Sequence, residues 1–183
     1  MAVSDEELFS RHRSGDASSF EELLERYRRP LYTVIRRMVR DSREAEDIFQ
    51  ETFCRVLRSQ ERFDAKRRFS SWIYAIATNL CRDYWRRQGR ETVTADGEPP
   101  EVAGPGDPEA ESSDGEIRMA VETAVARLPV EQREVFLLRE YGGLTFKEIA
   151  EVTQSNLNTV LGRMHLAVKK LRAELLGFQE ALR

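Results

Sequence analysis

The sequence predicts an all-α protein: two small helical domains joined by a flexible acidic linker. Three observations predict it. Apolar residues recur at three- and four-residue intervals through both halves, and no stretch alternates long enough to make a strand. Between the halves, residues 91–116 (ETVTADGEPPEVAGPGDPEAESSDGE) are rich in Pro, Gly, Ser and acid, with almost no large apolar side chain. Such a segment cannot bury enough surface to offset the entropy of ordering it. Charge is segregated in the same way. Residues 1–90 hold 19 bases and 15 acids, residues 91–117 no base and 9 acids, and residues 118–183 hold 10 bases and 8 acids. The net charge of −3 therefore describes neither half. The expected division is 1–90, 91–116 and 117–183.

The elements follow in order. Ser4 and Glu7 fit a capping box ahead of a short helix to about Arg13. Asp16 caps a second helix, with Phe20, Leu23, Leu24 and Tyr27 on one side; Pro30 should kink or restart it before Leu31 to Arg40. Asp41 or Ser42 opens a third helix to about Ser59. Residues 62–68 read as a loop, and Phe69 to Gln88 as a long helix. After the linker, helices are expected at about 116–127, 130–141, 145–153 and 157–175. Pro129 suits a first turn and Gly142-Gly143 a helix end. Short helices with brief turns match a helix-turn-helix domain.

Composition excludes several classes. No run of 18 apolar residues exists and the N-terminus lacks the basic-then-apolar order of a signal peptide, so a cytoplasmic protein without membrane insertion is expected. Cys54 and Cys81 have no CxxC spacing and no neighbouring histidine, so neither a disulfide nor a zinc site is expected. No cofactor, no metal and no catalytic constellation is expected: His12 and His165 lie in different halves, and no phosphate-cradling glycine loop is present.

Two helices carry surface chemistry. On the third, Ala45, Ile48, Phe49, Thr52, Phe53 and Val56 point one way, while Asp47, Gln50, Glu51, Cys54 and Arg58 point the other. A partner-binding face and a plain solvated face both fit that pattern. On the long helix, Phe69, Trp72, Ile73, Ile76, Ala77, Leu80 and Tyr84 form a core stripe. Roughly opposite lie Ser71, Tyr74, Thr78, Arg82 and Trp85, with Arg86 on the flank. Aromatics among arginines suit the stacking of bases and pairing of phosphates. A long core helix with snorkelling arginines suits the same residues. In the second half, Ile149, Ala150, Leu157 and Val160 would pack the helix-turn-helix. The N-terminal part of its second helix is the end that enters a major groove.

Taken together these motifs resemble the bacterial RNA polymerase sigma factors of the extracytoplasmic-function group, two-domain proteins that keep only sigma regions 2 and 4. Glu44-Ala-Glu-Asp-Ile-Phe-Gln-Glu-Thr-Phe53 is similar to the polymerase-binding helix of region 2. Phe63-Asp64 and Phe69-Ser-Ser-Trp72, with Ile76-Ala77, Asn79 and Asp83, resemble its melting and minus-ten segment. Leu128-Pro-Val-Glu-Gln-Arg-Glu-Val135, Glu148-Ile-Ala-Glu151 and Thr159-Val160 with Arg163 look like region 4. The resemblance implies that core RNA polymerase and promoter DNA are partners, with an anti-sigma factor as inhibitor. It implies polymerase contact through Asp47, Gln50 and Glu51. It implies minus-ten contact through Lys66, Arg67, Arg68, Phe69, Trp72, Tyr74, Asn79, Arg82, Trp85, Arg86 and Arg87, with a flipped base held at residues 62–68. It implies minus-thirty-five contact through Thr145, Lys147, Asn158, Thr159, Arg163, His165 and Lys169, with the acidic linker either threading the polymerase's RNA path or serving as a plain tether.

Some positions depart from the family pattern. After Thr159-Val160 the family usually carries a basic residue and a serine, then an arginine further on; here stand Leu161, Gly162 and Leu166. Leucines cannot hydrogen-bond to base edges. Gln154 stands where a turn glycine is common, and Ala75 and Thr78 where arginine is frequent. Two other functions share the fold: a sigma-like mimic that titrates an anti-sigma factor, and a stand-alone helix-turn-helix regulator.

Overall fold

The computed structural model describes residues 3–64, 67–92 and 113–181. Lys66 and residues 93–112, which include most of the expected linker, lie outside the described residues. Eight α-helices and one 3-10 turn make up the described chain.

Helix α1 (Asp5–Arg13) starts at Ser4, whose hydroxyl accepts from the Glu7 amide at 3.1 Å. Acids in its first turn and bases in its last complement the helix dipole. Helix α2 (Ala17–Val39) is capped by Asp16, which accepts from the Ser18 amide and both serine hydroxyls nearby. These bonds hold the Asp16 carboxyl down at about 2. Helix α2 runs unbroken through Pro30. Proline removes one amide donor, but Leu23, Tyr27, Leu31, Val34, Ile35 and Met38 are all buried along one side before and after it. It ends on Arg40, in the left-handed region at φ 66°.

Helix α3 (Ser42–Arg58) is capped by Asp41 and buries Ala45, Ile48, Thr52, Phe53 and Val56, the face its periodicity predicts. A 3-10 turn (Gln60–Arg62) leads to Phe63, which is buried 4.9 Å from Trp72 and 5.1 Å from Phe9 between ring centroids. Helix α4 (Phe69–Thr92) then crosses the bundle, extending past the expected Gln88. The Glu6 carboxylate of α1 accepts from the Phe69 amide at 2.9 Å, capping α4 from another element.

Helix α5 (Ser113–Ala126) and helix α6 (Val130–Glu140) form the start of the second half. Gly143, at φ 67°, turns the chain out of α6. Helix α7 (Phe146–Thr153) has a full capping box between Thr145 and Glu148. Gln154 takes the left-handed turn position at φ 52° despite its side chain, and α8 (Leu157–Ala181) follows. Asn156 caps α8 by accepting from the Thr159 amide at 2.8 Å. Ile149, Val152, Val160, Ala167 and Leu171 join α7 and α8 into the expected helix-turn-helix.

One expectation needs correcting. The side of α4 opposite its core stripe is not open to solvent in this arrangement: Ser71, Tyr74, Thr78 and Cys81 are buried and Trp85 is half-buried. Helix α4 packs on α7, and α2 on α6, so the two halves share one continuous core. The physical reason is the apolar content of that side, whose aromatic rings gain more from cover than from water.

Candidate polymerase and nucleic-acid interfaces

Helix α3 presents its polar side outward. Asp47 and Gln50 are exposed, as is Cys54. Glu51 is half-buried and paired within the helix, to Arg55 at 2.9 Å and Arg58 at 3.6 Å. The Arg55 hydrogen bond holds its carboxyl below the ordinary range. A partner therefore meets two free polar groups and one carboxylate that is already neutralised.

Along α4 the expected nucleic-acid residues divide. Phe69 is buried in the aromatic cluster with Phe9, Phe63 and Trp72, a structural role. Trp72 is half-buried in the same cluster. Arg67, Arg68, Asn79, Arg86 and Arg87 are exposed. Asn79 accepts from Arg82 at 2.9 Å, and Arg86 pairs with Asp83. These four residues line a shallow open groove of about 410 Å³. Tyr74, only 1% exposed, sits against the second half. Burial pushes its hydroxyl well above the ordinary tyrosine range. A Cβ built on Gly142 would lie 3.2 Å from the Tyr74 ring, so the α6–α7 turn approaches α4 closely. The Trp85 indole donates to the Met38 carbonyl at 3.1 Å, and the Arg133 guanidinium lies 5.7 Å from its ring centroid.

Glu134, Glu122 and Glu148, none of them an expected contact residue, hold arginines at this junction. Arg82 pairs with Glu134 at 2.5 Å, Arg37 with Glu122 at 2.9 Å, and Arg68 with Glu148 at 3.2 Å. Arg37 also stacks on Tyr141 at 4.0 Å. Glu134 is 3% exposed; burial raises its carboxyl above the ordinary value, and Arg82 partly offsets that. Arg133, 5% exposed, is lowered to about 10 by burial and by the nearby Arg40 charge. Both Arg40 and Arg133 donate to the Ala126 carbonyl. A signal for Glu134 exists in the sequence: it shares a helical face with Leu137, Leu138 and Tyr141, where a carboxylate needs a cation. Cys81 lies between these groups, fully buried, with its thiol pushed up to about 12 mainly by burial.

In the second half, Lys147, Asn158, His165 and Lys169 are exposed. Arg163 donates to the Ser155 hydroxyl at 3.2 Å, and Thr159 gives its amide to the cap. Thr145 is occupied in the capping box. Leu161 and Leu166 are exposed beside them. Among the described residues, no cluster of His, Cys, Asp and Glu has the makings of a metal site.

Comparison with known proteins places this geometry. Residues 23–91 match the Sigma-70 region 2 family and residues 118–171 match Sigma-70 region 4. RNA polymerase sigma factor CarQ of Myxococcus xanthus is 34% identical over 167 residues, covering 91% of this chain and 94% of that protein. ECF RNA polymerase sigma factor SigW of Bacillus subtilis is 31% identical, covering 89% of this chain and 92% of that protein. The chain belongs to the extracytoplasmic-function sigma factors of the sigma-70 family.

The fold of this sigma factor is shared by CnrH, solved with the cytosolic domain of CnrY (TM-score 0.73, 23% identity, 96% of this chain and 99% of that one). It is shared by RpoE of Bartonella quintana, solved with the anti-sigma factor NepR (TM-score 0.76, 22% identity, 87% and 98%). Helices α3 and α4 fall in region 2 of the sigma factor, and the helix-turn-helix α7–α8 falls in region 4. Among the described residues, no helix is long and apolar enough to cross a membrane.

Proposed function

We propose that this sigma factor docks on core RNA polymerase through α3, holds unpaired minus-ten DNA along α4, and places α8 on duplex DNA upstream. The open polar side of α3, with Asp47 and Gln50 exposed while Ala45, Ile48, Phe49, Phe53 and Val56 opposite are buried or half-buried, is the observation that carries this reading. Glu51 completes the docking face; its partners Arg55 and Arg58 would exchange it for a cation on the polymerase.

Arg86 and Arg87 on α4, with Arg67 and Arg68 just before it, offer phosphate contacts from exposed positions, and Arg82 and Lys66 would add theirs. Binding through such contacts falls steeply with salt. Trp72, Tyr74 and Trp85 supply ring faces for bases, Asn79 a polar group for a base edge, and Phe69 the packing that fixes the helix start. In region 4, Asn158 and His165 face the groove, Lys147, Arg163 and Lys169 reach phosphates, and Thr145 and Thr159 fix the helix ends. With Leu161 and Leu166 on α8, base readout is thin, and the upstream contact serves placement more than sequence choice.

The reading carries no enzymatic step and no cofactor. It places the protein in the cytoplasm and under control of an anti-sigma factor, a control supported by the solved complex of a protein with the same fold. Run-off transcription with purified core polymerase on a promoter library tests it. Promoter-dependent transcripts that need the chain are expected. Tight duplex binding by the free protein with no such transcript would overturn it in favour of a stand-alone regulator.

A further inference from the structure

Two arginines to which the proposed function gives no role meet at one neutral acceptor. Arg40 ends α2 in the left-handed conformation, and Arg133 lies in the first turn of α6. Each donates a terminal nitrogen to the Ala126 carbonyl at the end of α5, Arg133 at 3.0 Å and Arg40 at 3.5 Å. The Trp85 ring face, 5.7 Å from the Arg133 guanidinium, adds a second neutral partner. Among the described residues, no carboxylate pairs with either arginine; Glu122 is taken by Arg37 and Glu134 by Arg82.

Arg133 is buried, and even lowered to about 10 it stays charged at neutral pH. A buried cation is costly unless a negative group answers it, and a second cation beside it raises the cost. A carbonyl dipole and a ring face carry no net charge. The counter-charge that suits such a pair is a small anion able to accept from two guanidinium groups at once.

We infer that Arg40 and Arg133 form a binding site for a phosphate-class oxyanion, held between the end of α2 and the first turn of α6. Each guanidinium would give the anion a charge-assisted bond of about 2.8 Å. Arg40 is half-buried, and its contact with the carbonyl stands at the outer limit of hydrogen bonding, so it gives up little by turning to an anion. The cover on Arg133 limits the ligand to a small ion or the terminal phosphate of a nucleotide. Helix α2 belongs to region 2 and α6 to region 4, so the site is complete only while the two halves are packed, the closed form. An anion bound there favours closure by mass action.

Thermal unfolding of the full chain tests the site, with inorganic phosphate as the probe against sodium chloride at matched ionic strength. Phosphate should raise the melting temperature saturably, by about 3 °C or more at ten times its half-saturating concentration. Arg40→Gln should lose that rise yet melt no lower than wild type in chloride, because it also relieves the repulsion on Arg133. Arg28→Gln, at an exposed arginine elsewhere on α2, should keep the rise.

The native thiols give a second readout. Cys54 is exposed on α3, whereas Cys81 is buried on α4 beside Arg133. Shielding of Cys81 from an aromatic disulfide reagent therefore reports closure. Phosphate at ten times its half-saturating concentration should slow the Cys81 reaction about tenfold and leave Cys54 unchanged, an effect absent in Arg40→Gln. Adenosine triphosphate is run beside phosphate. Tighter binding by the nucleotide assigns the site to its terminal phosphate, and tighter binding by phosphate assigns it to the free ion. No saturable rise in wild type, or a rise that Arg40→Gln retains, overturns the inference. So does a response to duplex DNA alone, which would make the two arginines a backbone contact.

Discussion

Helices α3 and α4 lie side by side in region 2, each with an apolar stripe in the same core, yet their outer sides meet opposite fates. That of α3 carries Asp47, Gln50, Cys54 and Arg58 and stays in water. That of α4 carries Tyr74, Thr78, Cys81 and Trp85 and is buried or half-buried, with α7 of region 4 packed on the helix. The difference teaches that an interaction surface's chemistry decides whether it waits uncovered. Charged groups are cheaply solvated, so a charged docking face can stand ready. Aromatic rings are not, so they gather cover from nearby apolar partners, here within region 2 and from the other half of the same chain.

The most severe test of the α3 side is Asp47→Lys combined with Glu51→Lys. Reversing two charges on an otherwise open face should reduce affinity for core polymerase by about a hundredfold or more, while the helical signal remains. Co-purification with polymerase reads this directly. Unchanged recovery would mean that α3 is merely solvated and that its contrast with α4 has no functional content.

On the α4 side, Trp85→Ala removes a half-buried ring and the indole bond to the Met38 carbonyl. Truncating such a ring should cost about 3 kcal/mol. Thermal unfolding checks it, and the loss should fall on the contact between the halves as well as on region 2. A change within a few tenths of a kcal/mol would show that Trp85 is held in reserve for a ligand and contributes little to the closed structure.

How far the sequence revealed this contrast depends on the element. The stripe Ala45, Ile48, Phe53, Val56 was legible because helical periodicity states which side is buried. Helix-turn-helix spacing was legible because Ile149 and Val160 sit at a fixed interval across a short turn and are both buried, whereas Leu157, expected to pack with them, stays exposed. At Pro30 the helix does not restart, because local chemistry loses one amide donor there while the buried row from Leu23 to Met38 continues on both sides. The cover over Tyr74 was not legible at all. Periodicity marks a side as apolar but does not name its partner, and the pairs Arg37–Glu122 and Arg82–Glu134 join residues separated by 85 and 52 positions. The Glu6 cap on α4 was hidden for the same reason, at a separation of 63.

A smaller effect separates the two helices proposed to read DNA. Gly162 lies inside α8, and a Cβ there would meet nothing within 4 Å. Gly162→Ala should therefore stabilise region 4 by about 1 kcal/mol through helix propensity alone. The melting temperature of the full chain should rise by a few degrees. No gain would mean that Gly162 serves a bent or fraying helix, and that α8 adapts on contact where α4 is fixed in advance.

The smallest effect concerns pH, because two influences on Glu134 oppose each other. Burial raises its carboxyl and Arg82 lowers it, with burial the stronger. Facing it are Arg82 and Cys81 from α4, Arg163 from α8 and Glu131 on its own helix. A raised value in the closed form means that closure binds the proton more tightly than the open form does. Closure is then favoured below the ordinary carboxylate value and weakens as pH rises from there through the raised one. Cys81 shielding, corrected for reagent thiolate chemistry with Cys54 as internal standard, should fall across that window. Glu134→Gln, which keeps the shape and cannot ionise, should flatten the profile with the halves still closed. If the variant keeps the wild-type slope, another group titrates at the junction, and the buried carboxylate is a fixed contact whose charge never changes in the working range.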